Sequence, residues 1–181
     1  MLFTKLAAVA AALAAPLAVA ENGYWANTIH AVSVLNGPGG VSGLIKFSQD
    51  KGSCEVSVTG TIQGLSPNAE HGFHIHQFGD ISGGCNSTGG HFNPFNKTHG
   101  APDAKVRHVG DLGNVKTDAN GTAVVDIKDS KIQLLGARTI LGRGVVVHAG
   151  RDDLGLGNET DSKTTGHAGA RAACGVVAVA N

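Results

Sequence analysis

The chain has 181 residues, with 14 basic and 14 acidic side chains, 27 glycines and only 4% aromatic residues. That length suits one domain able to bury a proper core. Near neutrality without a Lys/Arg run leaves no electrostatic footprint for nucleic acid, and no such partner is expected.

The first segment reads as a processing signal. Residues 1–20 carry a lone Lys5, an apolar Leu/Ala/Val stretch broken by Pro16, and the small-residue ending Ala18-Val19-Ala20. This is the layout of a cleaved secretory signal, with the cut expected after Ala20. A spanning helix is the weaker reading, because Pro16 interrupts a stretch barely long enough to cross a bilayer. The mature protein is therefore expected to be secreted, extracellular or held at the cell wall, with no membrane partner. Residues 21–30 read as an N-terminal extension and 31–181 as the folded domain.

Short Val-rich runs between turn signals predict an all-β sandwich or barrel. In chain order the strands are expected at Ala31–Leu35, Val41–Phe47, Cys54–Ile62, Gly72–Phe78, Thr122–Ile127, Val145–His148 and Val176–Ala180. In the third, Cys54, Val56, Val58 and Ile62 share a face, so Cys54 is expected to be a buried, inert thiol. No ten-residue window after the signal carries a helical stripe.

The fourth run, EHGFHIHQFGD, carries the first chemistry. As a strand it turns His74 and His76 to one side and Phe73 and Ile75 to the other. Two adjacent neutral imidazoles are a ready metal chelate. His71 falls on the Phe73 side and is expected to be a hydrogen-bonded structural histidine. His30 is expected to be solvated, and His167 is a minor candidate for the mouth of a site. The strand GVVVHAG likewise alternates, placing His148 with Val146, opposite Val145 and Val147.

Two stretches, Gly79–Asn120 and Ala149–Ala173, read as long loops without regular structure. Loops this long in a compact domain are functional or disordered. Ordering them costs of order 1 kcal/mol or more per residue, so a bound metal or a disulfide is needed to hold them. The first loop supplies His91, His99, His108 and Asp111. Nitrogen donors with one carboxylate suit zinc or copper rather than calcium or magnesium. Seven candidate ligands exceed the needs of one four-coordinate ion and point to two sites. Export permits a disulfide among Cys54, Cys85 and Cys174, with one thiol left over. Asn86, Asn96, Asn120 and Asn158 head Asn-x-Ser/Thr triplets, candidate glycan acceptors in a secreted protein.

Together these residues resemble a known family. GFHIHQFGDIS and GHAGARAACGVV are similar to the two signature stretches of copper/zinc superoxide dismutase. HFNPFNKTHG, RHVGDLGNV and GRGVVVHAGRDDLG continue the likeness over about Ala31 to Asn181. The resemblance implies a Greek-key β-sandwich, or flattened barrel, of immunoglobulin-like architecture with two long functional loops. It implies copper on His74, His76, His91 and His148, and zinc on His91, His99, His108 and Asp111, with His91 bridging. Asp152 would be the carboxylate linking a ligand of each metal. Cys85 and Cys174 would form the disulfide, and Arg171 would anchor an anion beside the copper.

The activity implied is dismutation of superoxide to dioxygen and hydrogen peroxide, in extracellular antioxidant defence, with His91 and Arg171 as catalytic residues. Copper would cycle between oxidation states, while zinc would stay structural. A homodimer is implied, through Phe78–Gly79, Leu141–Arg143 and the C-terminal strand. One departure stands out: Thr164 occupies a position where many members carry a lysine that draws superoxide in, and Lys163 precedes it. The rival reading is a non-enzymatic exported β-sandwich for copper or zinc storage or delivery. The complete copper set and Arg171 favour catalysis.

Overall fold

The structure is a computed structural model that describes residues 27–181, so the expected signal and residues 21–26 lie outside the described residues. Among the described residues nine strands form one antiparallel sheet: β1 (Thr28–Asn36), β2 (Ser42–Asp50), β3 (Val56–Gln63), β4 (Glu70–His76), β5 (Asp111–Lys116), β6 (Ala123–Asp129), β7 (Gly144–His148), β8 (Arg171–Val176) and β9 (Ala178–Ala180). The order is β5-β4-β7-β8-β1-β2-β3-β6, with β9 paired to β1. A bridge between Thr117 and Ala123 brings the two ends together, nearly closing the barrel. The β3–β4 and β6–β7 connections join strands that are not neighbours, which is the Greek-key path. Among the described residues the one α-helix is a single turn, α1 (Ser162–Thr165).

Alternation builds the core. Ala31 and Leu35 of β1, Ile45 and Phe47 of β2, Val56, Val58 and Ile62 of β3, and Ala123 and Val125 of β6 all point inward. Burying each large aliphatic or aromatic chain contributes about 1.5–3 kcal/mol, and Phe47→Ala would cost about 3–5 kcal/mol. The same period of two applies to β4 and β7, paired through Phe73↔Val147 and His74↔Val146. Phe73, Ile75, Val145 and Val147 enter the core. His74, His76, Val146 and His148 therefore face outward, yet all four are buried. What covers them is the pair of long loops, packed over the outside of the barrel.

Those loops are more regular than their composition predicts. The first holds a 3-10 turn at Cys85–Thr88 and ends in β5; the second contains α1 and runs into β8 at Arg171. Strand β5, DLGNVK, escapes a propensity reading because Asp, Gly and Asn are depleted in strands. Its Gly113 has φ +79°, which an L side chain rarely adopts. Strand β8 is Ala/Gly-rich, and the expected single C-terminal strand breaks at Val177 into β8 and β9. Pairing with β4, β7 and β1 respectively forms β5, β8 and β9, and propensity does not.

Cys54 corrects a further expectation. Strand β3 begins at Val56, and Cys54 sits exposed in the preceding turn, where the Ser53 hydroxyl accepts the Glu55 N–H. The alternation does not extend beyond the paired ladder. His71 behaves as expected: it is buried, and its Nδ1 donates to the His148 carbonyl at 2.9 Å. His30 is exposed.

Candidate metal centre

Seven of the site residues predicted from the sequence converge under the loops as two groups that share His91. One comprises His74, His76, His91 and His148, the other His91, His99, His108 and Asp111; within each, the candidate ligand atoms lie within 4.8 Å of one another. Irregular pairing aims them. The β4–β5 register shifts between Gly72 and His74, and the β7–β8 register between Val147 and His148. The first loop is held against β4 by backbone bonds from Phe92 to Ile75, Ile75 to Gly110 and Gly110 to Phe92. Gly110 must be glycine, since a β-carbon there would lie 2.1 Å from the Ile75 carbonyl oxygen.

Four of the six imidazoles, those of His74, His76, His99 and His148, have one nitrogen occupied from outside, which leaves the other facing inward. His76 Nδ1 donates to the Gly89 carbonyl (2.8 Å) and His148 Nδ1 to the Gly169 carbonyl (3.0 Å). Their Nε2 atoms then approach each other at 3.4 Å. His74 Nε2 and His99 Nε2 bond opposite oxygens of Asp152, each at 2.8 Å. Gly166, at φ +66°, makes this possible: a β-carbon there would sit 2.0 Å from Asp152 Oδ1. Asn114 on β5 fixes Asp152 further through a reciprocal pair of side chain–backbone bonds of 2.7 and 2.9 Å.

On the other side, Asp111 Oδ2 accepts the N–H groups of Gly100 and His108. Its Oδ1 faces His91 Nδ1, His108 Nδ1 and His99 Nδ1 at 2.8, 3.0 and 3.1 Å. The fit to metal rests on what remains. His74 Nδ1 and His91 Nε2 are buried with no hydrogen-bond partner, and His99 Nδ1 has only the Asp111 carboxylate, a member of its own group. Buried polar atoms are satisfied almost without exception, so two inward-facing orphans beside a carboxylate ringed by imidazoles call for a cation. Four nitrogens on one side suit copper, and three nitrogens with a carboxylate on the other suit zinc.

For four of the rings the protonation states agree. Burial, reinforced by neighbouring histidines, depresses His74 to about 3, and burial first of all takes His148 to about 4. His76 and His91 are likewise pushed down, mainly by burial. These rings are neutral, with lone pairs available. Burial opposes the charged forms of Asp111 and Asp152, but hydrogen bonds from the histidines outweigh it and hold both carboxyls below their usual range. His99 also suffers burial, yet its bonds to Asp111 and Asp152 prevail and raise it to about 9.

Arg171 lies where β8 leaves the site. Its Nη1 donates to the Cys85 carbonyl (2.5 Å) and the Thr88 hydroxyl (3.0 Å), and its Nη2 donates to the Gly89 carbonyl (2.7 Å). Cys85 is bonded to Cys174, closing a sequence separation of 89. Thr164 is exposed, and the Lys163 ammonium donates to the Gly155 carbonyl. His167 is exposed too, and pairs with Asp161 rather than with the histidine groups. Three supporting residues carried no signal in the sequence: Asn114, Thr88 and Arg107. The buried Arg107 bonds both the Asp111 carbonyl and Asp129 at the end of β6, clipping the first loop to the barrel.

A Greek-key barrel carrying two histidine-rich groups with one shared imidazole defines a class: β-barrel proteins built to hold a pair of transition metals. The copper/zinc superoxide dismutase (SODC) family model matches residues 41–177. The chain is 58% identical over 153 residues to a superoxide dismutase [Cu-Zn] of Saccharomyces cerevisiae, covering 84% of this chain and 99% of that protein. It is 55% identical over 152 residues to that of Humicola lutea, covering 84% and 99%. The enzyme of Candida albicans is 55% identical over 149 residues, covering 82% and 97%. The chain belongs to the copper/zinc superoxide dismutase family. It is an oxidoreductase with copper and zinc as cofactors and superoxide as substrate.

Proposed function

We propose that this chain is an exported superoxide dismutase that acts outside the cell, with copper on His74, His76, His91 and His148 and zinc on His91, His99, His108 and Asp111. The carrying observation is the pair of buried donor groups sharing His91, with the inward nitrogens of His74 and His91 left without partners. The overall reaction consumes two superoxide anions and two protons and yields one dioxygen and one hydrogen peroxide. Bound copper supplies the one-electron couple and bound zinc a fixed charge without redox change. The residues do the rest. His91, with one nitrogen toward each group, is placed to hold and release the proton that peroxide needs. The Arg171 guanidinium, permanently charged, draws in and orients a small anion. Asp152 keeps His74 and His99 in the tautomers that point their Nδ1 atoms inward.

Export rests on the signal-like residues 1–20, and residues 21–30 remain an N-terminal extension of the domain at 31–181. The four acceptor asparagines, Asn86, Asn96, Asn120 and Asn158, are all exposed, as N-linked glycans require. We also propose a homodimer. Phe78, Ile81 and Val34 are exposed apolar side chains. Gly79 packs against Gly142, and Gly142 bonds Val177 by the C-terminal strand. Val34 and Ile81 line one surface groove, an apolar feature suited to a second copy.

The test is superoxide consumption by metal-loaded protein beside a copper and zinc count. Activity with one of each metal per chain supports the reading; full loading without activity sinks it in favour of metal storage or delivery. N-terminal sequencing of protein from culture medium should begin at Glu21. Light scattering should give twice the monomer mass.

A further inference from the structure

We propose that Thr88 is a positioning residue for dismutation, holding the Arg171 guanidinium in its anion-binding orientation; this rests on the role given to Arg171 above. Thr88 is completely buried. A threonine hydroxyl offers one proton and two lone pairs. Here the proton goes to the Cys85 carbonyl at 2.8 Å, and a lone pair accepts Arg171 Nη1–H at 3.0 Å. Because Nη1 also donates to the Cys85 carbonyl, guanidinium, hydroxyl and carbonyl form a closed triangle. Nη2 is held separately by the Gly89 carbonyl, which also accepts from His76 Nδ1.

Thr88 Oγ1 also lies 3.2 Å from His76 Nδ1, so the hydroxyl joins three parts: the charge that meets the anion, the disulfide loop, and the strand bearing His76. Its backbone is fixed as well, since the Thr88 carbonyl accepts the Phe78 N–H at 2.9 Å. A donor fixed in advance costs no reorganisation when the anion arrives, which is where such a contact contributes to rate. Without the hydroxyl, Nη1 keeps one carbonyl and loses the partner that sets its direction. Thr88 also completes the Asn86-Ser87-Thr88 triplet. Its hydroxyl is fully used inside the folded protein, so that threonine has a role independent of any glycan.

The test uses Thr88→Val, which keeps the shape and removes the hydroxyl, and Thr88→Ser, which restores it. Azide is titrated against the copper(II) visible spectrum of each holoenzyme, with metal content and dismutation rate measured in parallel. Thr88→Val should retain both metals and bind azide about three- to tenfold more weakly, the scale of one lost hydrogen bond to a charged group. Its rate should fall in proportion, and Thr88→Ser should recover to within about twofold of wild type. In an Arg171→Ala background, Thr88→Val should change neither quantity further, because coupled residues are not additive. Unchanged azide affinity in Thr88→Val, or an equal loss in the Arg171→Ala background, would overturn the proposal while leaving the Arg171 reading intact. Unchanged azide affinity in Arg171→Ala alone would overturn both.

Discussion

Arg171 donates to the backbone carbonyl of Cys85, and Cys85 is itself disulfide-bonded to Cys174, three residues further along β8. The bridge thus closes a ring around the charge it helps to aim. Cys174→Ser should lower dismutation even in protein that keeps both metals, because Arg171 loses a fixed acceptor. Closing a loop of this length stabilises by about 4.6 kcal/mol in the chain-entropy picture. Denaturant melts of oxidised and reduced protein measure that difference. Native protein should also offer one reactive thiol, the exposed Cys54. Peptide mapping that finds Cys54 in an intrachain disulfide would refute the pairing.

Metal content separates the two donor groups. His99→Ala should lose mainly zinc, His148→Ala mainly copper, and His91→Ala should disturb both, since His91 belongs to each. Elemental analysis after equal loading is the measurement. Selective copper loss in His99→Ala, with zinc intact, would contradict the assignment.

Arg171 separates binding metal from chemistry. Arg171→Ala removes a fixed charge and no donor of either group, so copper and zinc should stay at wild-type occupancy. Dismutation should fall about tenfold or more, equivalent to about 1.4 kcal/mol of lost transition-state stabilisation. Arg171→Lys should do better, because charge survives without the fork geometry. Arg171→Glu should be worst. Rising salt should slow the wild type by screening the approach of the anion. Full activity of Arg171→Glu at low salt, with both metals bound, would defeat the role.

The metal-free protein should lose stability in mild acid. His74, His76, His91 and His148 are depressed in the folded state, so the unfolded chain binds protons more readily below its own value of 6.5. Their contribution is complete above 6.5 and is lost as pH falls, through about 4 for His148 and about 3 for His74. His99 acts oppositely: its contribution is full below 6.5 and disappears as pH rises through about 9. Thermal melts of metal-free protein should therefore drop from pH 7 toward pH 4. A flat melting temperature over that range would show that these rings are not neutral when folded.

What the sequence determined by itself was whatever repeats with a short period or names its chemistry directly. The alternation in EHGFHIH set Phe73 and Ile75 in the core and His74 and His76 outside it, since neighbouring strand residues point to opposite faces. Seven nitrogen and carboxylate donors announced two metals before any geometry was known. Other features needed partners distant in sequence. Strand β5 exists because β4 offers it a ladder, against the preferences of Asp111, Gly113 and Asn114. Cys54 kept the alternation of Val56 and Val58 but fell outside the paired ladder, and so came to the surface. The grip of Asn114 on Asp152, the clip of Arg107 to Asp129 and the hydroxyl of Thr88 beneath Arg171 join residues from separate strands and loops. Such side chains have no local period, and their roles appear only when tertiary packing excludes water and makes every buried polar group find a partner.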